Sequence, residues 1–162
     1  MAVCIHEIAS ISERRINQVL DPQWSNQKAF LANNEGLDSG LMIVQYVAAA
    51  VIAELSLLSN PVTTTNIPVS MGKEDHVSMG ATGAFRTFKC SKLLSSVISS
   101  ELICSSQALE NIPEKASDSV ILIHNWIREY VPKLVEDRST SNDTEIIADK
   151  ILTSEFSGIF RN

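Results

Sequence analysis

Basic residues and cysteines are both scarce in this sequence, and each shortage excludes something. Lys and Arg total 13 against 19 Asp and Glu, a net charge of −6. No basic run is dense enough to follow a nucleic-acid backbone, so no nucleic-acid surface is expected. The three cysteines, Cys4, Cys90 and Cys104, are far apart and odd in number. They do not make a disulfide framework and read as buried free thiols of a reducing compartment, which implies a cytoplasmic location. No Cys-x-x-Cys or His-x-x-x-His pair occurs, so no metal site is expected. The start, "MAVCIHEIAS", lacks the basic residues and unbroken apolar core of a signal peptide.

What the chain does have is apolar helical sequence. Hydrophobic residues make up 44% and charged residues 20% of 162 positions, which fits one globular domain over 1–162. Ile5, Ile8, Ile16, Val19 and Leu20 recur at helical spacing, and Asp21-Pro22 closes that helix over 4–20. An irregular stretch, 22–40, precedes "LMIVQYVAAAVIAELSLL" at 41–58. That segment contains Gln45 and Glu54 and has no Lys or Arg close by. A membrane span usually needs ~20 apolar residues with basic anchors. The segment therefore reads as a helix apolar nearly all round, one that other helices must surround. A chain this short has few to offer, which points to a homo-oligomer.

After a loop at 62–75, a long helix is expected over 77–112, with Phe85, Phe88, Leu93, Leu94, Val97, Ile98, Leu102, Ile103 and Leu109 in register. Its serines lower helix propensity slightly and let neighbouring helices approach. Pro113 stops it, and Ser117 or Asp118 caps a helix carrying Ile123, Trp126, Ile127, Tyr130, Val131 and Leu134, which Pro132 should kink. Asn142 and Glu145 have the spacing of a capping box for a last helix to about Thr153. No strand pattern is present, so the class is all-α.

The chemistry-bearing residues gather in "SMGKEDHVSMGATG", at 70–83. Glu74, Asp75 and His76 are consecutive, so they point apart on a helix or strand and cannot converge on a metal. Gly72-Lys73 is not a phosphate loop: Ile67 stands where a glycine is required, and Glu74 where Ser or Thr is required. No Gly-x-Ser-x-Gly nucleophile elbow occurs. From the residues alone, the cluster is either a site or a helix start, with Glu74 and Asp75 favouring the positive helix end.

"SERRINQVLDP", "GLDSGLMIVQYVAAAVIAE", "NPVTTTNIPVSMGKEDHVSMGA" and "IREYVPKLVEDR" resemble, in order and spacing, the C-terminal half of histidine ammonia-lyase and its aromatic amino-acid lyase relatives. "EDHVSMG" looks like the histidine-specific branch. The resemblance implies an all-helical long-helix bundle, an oligomer with active sites shared between subunits, and Glu74 beside the substrate as a catalytic and substrate-binding group. It implies a substrate-binding or loop-bracing role for His76. The family's electrophile, a methylidene-imidazolone, forms from an Ala-Ser-Gly triplet. None occurs here, Ala9-Ser10-Ile11 being the nearest, so this cofactor is expected only in a partner chain, an N-terminal lyase-half polypeptide. The expected function is thus a partial histidine ammonia-lyase giving urocanate from L-histidine, inactive by itself. The alternative is a non-catalytic helical oligomer, a truncated or degenerate relative with a structural or regulatory role. Two departures from the family pattern stand out, Asp38 in Gly-Leu-Asp-Ser-Gly, and Gly72-Lys73 before Glu74, where Lys73 is placed to pair with Glu74.

Overall fold

The computed structural model describes residues 1–153 and 155–159. Three long helices carry the core. α1 (Ala2–Leu20) buries Ile5, Ala9, Ser12, Ile16 and Leu20, one side of a helix at three- and four-residue steps. Asp21 then turns extended and caps the short α2 (Pro22–Ser25), its carboxylate accepting the Gln23 N–H at 2.9 Å. α3 (Met42–Leu58) and α4 (Gly80–Leu109) both pack on α1 and on each other. Ile16, Leu20, Leu41, Leu55 and Val97 are the fully buried centre.

α5 (Asp118–Arg128) packs against α4, and α6 (Ser141–Leu152) lies along it and leads to α7 (Glu155–Gly158). Among the described residues there is no strand, only two isolated bridges. The protein is all-α.

The serines of α4 do what small residues at a helix interface should. Ser95, Ser99, Ser100 and Ser106 are buried. Ser95 and Ser100 donate back to the carbonyls of Lys92 and Ser96 at 2.8 and 3.0 Å, and Ser99 donates across to the Thr144 carbonyl at 2.8 Å. The hydroxyls of Ser95, Ser99 and Ser100 are therefore satisfied and avoid the cost of buried unpaired polar groups, and these small side chains leave room for α1 and α6.

A polar clamp fixes the chain after α5. Gln107 Oε1 accepts from the Leu134 N–H at 3.1 Å and from Arg128 Nη2 at 3.2 Å, while its Nε2 donates to the Leu134 carbonyl at 3.0 Å. Glu110 accepts from Arg128 Nε at 2.6 Å and lies 2.9 Å from Lys133 Nζ. Burial works against its charge, but the bonds from Lys133 and Arg128 outweigh burial and hold the carboxyl below the usual glutamate range.

Four expectations need correction. Cys4 is exposed, and only Cys90 and Cys104 are buried. Burial pushes the Cys104 thiol up to about 12, which leaves it inert. Pro132 kinks nothing, because α5 already stops at Arg128; a proline disfavours helix in the residue before it, and here the chain has left the helix earlier. Tyr130, Val131 and Leu134 thus reach the core from irregular chain. Asn142 is not a cap: α6 starts one residue earlier at Ser141, with Thr140 at the cap position and no side-chain cap bond. Arg138 instead anchors this start by pairing with the buried Asp143 at 2.6 Å. Finally, α3 is not surrounded. Only Val44, Ala48 and Leu55 of it are buried, while Ile43, Tyr46, Val47 and Leu57 lie exposed.

The segment Met42–Thr64 is long and apolar enough to cross a membrane by length and composition, and little of it is buried inside the chain. The whole chain exposes 9989 Å². A compact folded protein of 17.8 kDa exposes roughly 8,000 Å². About 2,000 Å² is surplus.

Candidate functional site

The candidate residues sit on the connection between α3 and α4. α3 ends at Leu58, where Arg86 Nη2 donates to the carbonyls of Leu57 and Leu58 at 3.2 and 2.7 Å. The connection is then pinned at its base by one side chain. Asn66 Nδ2 donates to the Val77 carbonyl at 2.6 Å, and the Val77 N–H donates to Asn66 Oδ1 at 3.0 Å. Above that clamp, Val69 and Glu74 exchange backbone bonds of 2.9 and 3.3 Å, so 69–74 closes into a tight hairpin-like turn.

Its tip is left-handed at three successive residues, Ser70 (φ 54°), Met71 (φ 56°) and Gly72 (φ 81°). Gly72 adopts this freely, whereas Ser70 and Met71 pay a steric cost. The Met71 side chain is 97% exposed.

Glu74, Asp75 and His76 leave this turn side by side and all three are exposed. Among the described residues, none of them makes an ion pair or side-chain hydrogen bond, and no group of His, Cys, Asp and Glu is arranged to hold a metal. Lys73 does not pair with Glu74; it too is exposed. The helix-start reading of Glu74 and Asp75 is corrected, since α4 begins at Gly80 and has no acidic residue in its first turn. The bracing of the loop falls to Asn66 rather than to His76. Neither Glu74 nor His76 lines the clefts of about 470 and 540 Å³ beside α5 and α6. The turn therefore presents an unpartnered carboxylate and imidazole outward, to whatever covers this end of the molecule.

The other quoted motifs meet one another. Ser39 and Gly40 of "GLDSG" donate their backbone N–H groups to Asp137 of "VEDR" at 2.7 and 2.9 Å. Those two bonds hold the Asp137 carboxyl below its ordinary value. Asp38 takes the Asn34 backbone and side-chain N–H groups at 3.2 and 2.9 Å. In "SERR", Ser12 and Arg15 both hold Glu101 of α4, at 2.5 and 3.1 Å, and Arg14 pairs with the buried Glu13.

One feature escaped sequence reasoning. Phe30 and Leu31 carry left-handed φ angles of 53° and 56°. The Phe30 carbonyl accepts the Leu41 N–H at 2.9 Å, and a Cβ on Gly40 would come within 2.4 Å of that oxygen. Gly40, itself at φ +55°, is required for this approach. The glycine before the apolar run was the only signal available. Strain of this kind persists where the surroundings over-determine it, and Phe30 lines a cleft of about 320 Å³ with Glu13, Arg14, Gln45 and Tyr46.

Comparison with known proteins gives these motifs a common source. A family model for aromatic amino acid lyases matches residues 1–129. The histidine ammonia-lyase of Myxococcus xanthus is 37% identical over all of this chain, which covers 32% of that protein. The histidine ammonia-lyase of Deinococcus radiodurans is 39% identical over 96% of the chain and 30% of its own length. Among solved structures, histidine ammonia-lyase from Trypanosoma cruzi superposes with a TM-score of 0.92 at 30% identity, over 98% of this chain and 31% of that one. Tyrosine aminomutase from Streptomyces globisporus superposes at 0.94 with 27% identity. The chain thus spans about a third of the length of these relatives and corresponds to their C-terminal part, a smaller share than the half expected from the motifs. With this agreement of sequence and fold, the chain belongs to the aromatic amino acid lyase family.

Proposed function

We propose that this chain serves as the C-terminal part of a histidine ammonia-lyase-type enzyme, which eliminates ammonia from L-histidine to give urocanate. The observation that carries the reading is the turn at 69–76. It presents Glu74 and His76 outward with no partner, in a chain whose similarity runs to proteins named as histidine ammonia-lyases. The other two-thirds of such an enzyme, in the same polypeptide or on another, completes the site.

The methylidene-imidazolone electrophile belongs to that remainder, since no Ala-Ser-Gly triplet occurs in these residues. It supplies the activation that a poor amine leaving group needs. Glu74 accepts a proton or hydrogen bond from the cationic amine or imidazole of the substrate, a charge-assisted bond roughly twice as strong as a neutral one. His76 adds a second polar contact. Lys73 leaves Glu74 free in the isolated chain, which supports an available carboxylate.

The partners in this reading are a second copy of the chain and the lyase remainder. The exposed apolar residues of α3, with Phe85 and Phe88 of α4 also exposed, support self-association. A cytoplasmic setting fits an exposed free Cys4. The second reading, a non-catalytic helical oligomer, draws on the same apolar face and on the exposure of Glu74 without a side-chain partner. Co-expression with the lyase remainder separates the two: urocanate formation supports the first, and assembly without turnover supports the second.

A further inference from the structure

The connection that carries Glu74 is tied to the body of the chain at its two ends. At its start, Arg86 of α4 holds the last carbonyls of α3, and Val62 lies against Gly83, where an added Cβ would meet Val62 Cγ2 at 3.4 Å. At its end, Val77 leads within three residues into α4.

The segment between Asn66 and Val77 has few ties of its own. Among the described residues, the hydrogen bonds of 67–76 run within the turn, joining Val69 with Glu74, Gly72 with Val69 and Lys73 with Ser70. Only the Asn66 side chain closes the segment, through its bonds of 2.6 and 3.0 Å to the Val77 carbonyl and N–H. A carboxamide carries a donor and an acceptor on one planar group, so it satisfies both backbone groups of a single residue. Asn66 and Val77 are half-buried, which shields the pair in part from competing water.

That closure acts on Glu74 through the turn. Glu74 and Val69 exchange backbone bonds, and the tip between them is held in left-handed backbone at Ser70 and Met71. Strained backbone persists only where its surroundings over-determine it. With Asn66 removed, no other hydrogen bond among the described residues fixes the turn relative to α4, and Glu74 moves with it.

We infer that Asn66 is a positioning residue for the elimination. It acts through Glu74, by closing the loop that sets where the carboxylate stands. The inference rests on the role proposed for Glu74. A displacement on the order of 1 Å at a reacting group costs roughly 10²-fold in rate, so a loosened loop is felt in turnover before it is felt in folding.

The test co-expresses the chain with the preceding two-thirds of the Myxococcus xanthus histidine ammonia-lyase and measures urocanate formation by the purified complex. Wild type, Asn66→Ala, Glu74→Gln and the double variant are compared. Asn66→Ala should lower kcat roughly 10–10²-fold. In the Glu74→Gln background the same change should cost less than about threefold, because a residue that acts through Glu74 then has nothing left to position. A merely structural role would multiply the two losses. Hydrogen exchange on the same complexes reads the loop directly. The Val69 and Glu74 amides should exchange roughly tenfold faster or more in Asn66→Ala, while α4 from Cys90 onward keeps its protection. Multiplied losses, turnover by Asn66→Ala within about twofold of wild type, or unchanged exchange at Val69 and Glu74 overturns the inference and leaves the role of Glu74 standing. Loss of protection throughout α4 also overturns it, by assigning Asn66 to the fold. No turnover by the wild-type complex overturns the proposed function and this inference with it.

Discussion

Residues 80–89 of α4 bury nothing, whereas the rest of the same helix buries Cys90, Val97, Ile103, Cys104 and Gln107 among others. The bare stretch carries glycine, threonine and phenylalanine and no serine, whereas the buried stretch is rich in serine and leucine. Their neighbours differ as well. The buried stretch has α1 and α6 on its sides and the Gln107–Leu134 clamp at its end. The bare stretch carries Phe85 at 77% exposure and continues directly from the turn that holds Glu74. The later stretch of α4 is packed within the chain, the first is left bare, and the candidate site adjoins the bare stretch.

The largest effect that sharpens this contrast is catalytic. In an enzyme completed by the lyase remainder, Glu74→Gln should lower turnover roughly 10²–10⁴-fold, the range for a positioned acid–base group. Folding should not change, because Glu74 is exposed and its side chain makes no hydrogen bond or ion pair among the described residues. His76→Ala should cost less activity than Glu74→Gln and leave stability intact, since Asn66 holds the loop. Urocanate absorbance and thermal melts read both. Turnover within a few-fold of wild type for Glu74→Gln breaks the assignment of the site.

In the packed core, large-to-small changes should be costly without touching the exposed faces. Leu55→Ala removes a fully buried side chain and should lower stability by about 2–5 kcal/mol. Leu57→Ala, two residues on and 74% exposed, should cost the lone chain about 0.5 kcal/mol or less. Chemical denaturation of both variants at low protein concentration measures the gap. Equal losses would mean that α3 is not sided as described.

Ala49→Lys tests the open face directly. Ala49 is exposed in the single chain, so the variant should fold and yet fail to self-associate at micromolar concentration in sedimentation velocity. A wild-type monomer under the same conditions breaks the assembly reading.

The smallest effect concerns the clamp. The Glu110 carboxyl titrates below its unfolded value. Its contribution is therefore present above the unfolded glutamate pKa of about 4.3 and disappears as pH falls through the lower folded value. Glu110→Gln should flatten the acid limb of the stability profile and have little effect near neutrality on its slope with pH. An unchanged acid limb would remove Glu110 from the clamp.

Much of the fold was legible in the sequence because helical periodicity is a local property. The helices at 4–20, 41–58 and 77–112 reappear as α1, α3 and α4 with ends shifted by a few residues. The misread ends were those set by tertiary contacts. Arg138 paired with Asp143 fixes the start of α6, and the Gln107 clamp holds Leu134 in place where a continued helix was expected. The site was legible as a cluster of unusual residues, and the resemblance gave Glu74 its role. Its geometry was not legible. Consecutive residues on a strained turn reveal neither which way they face nor that Asn66, eight residues before Glu74, holds the loop. The strain at Phe30 was hidden for the same reason, because its partner Gly40 lies ten positions away in the chain.

The most direct measurement is urocanate formation from L-histidine by three samples: this 162-residue chain alone, the lyase remainder alone, and the two co-expressed. Elimination of an unactivated amine needs an electrophile that no residue here forms. The account predicts turnover only in the co-expressed sample. Turnover by the isolated chain, or none in the purified complex, would contradict it.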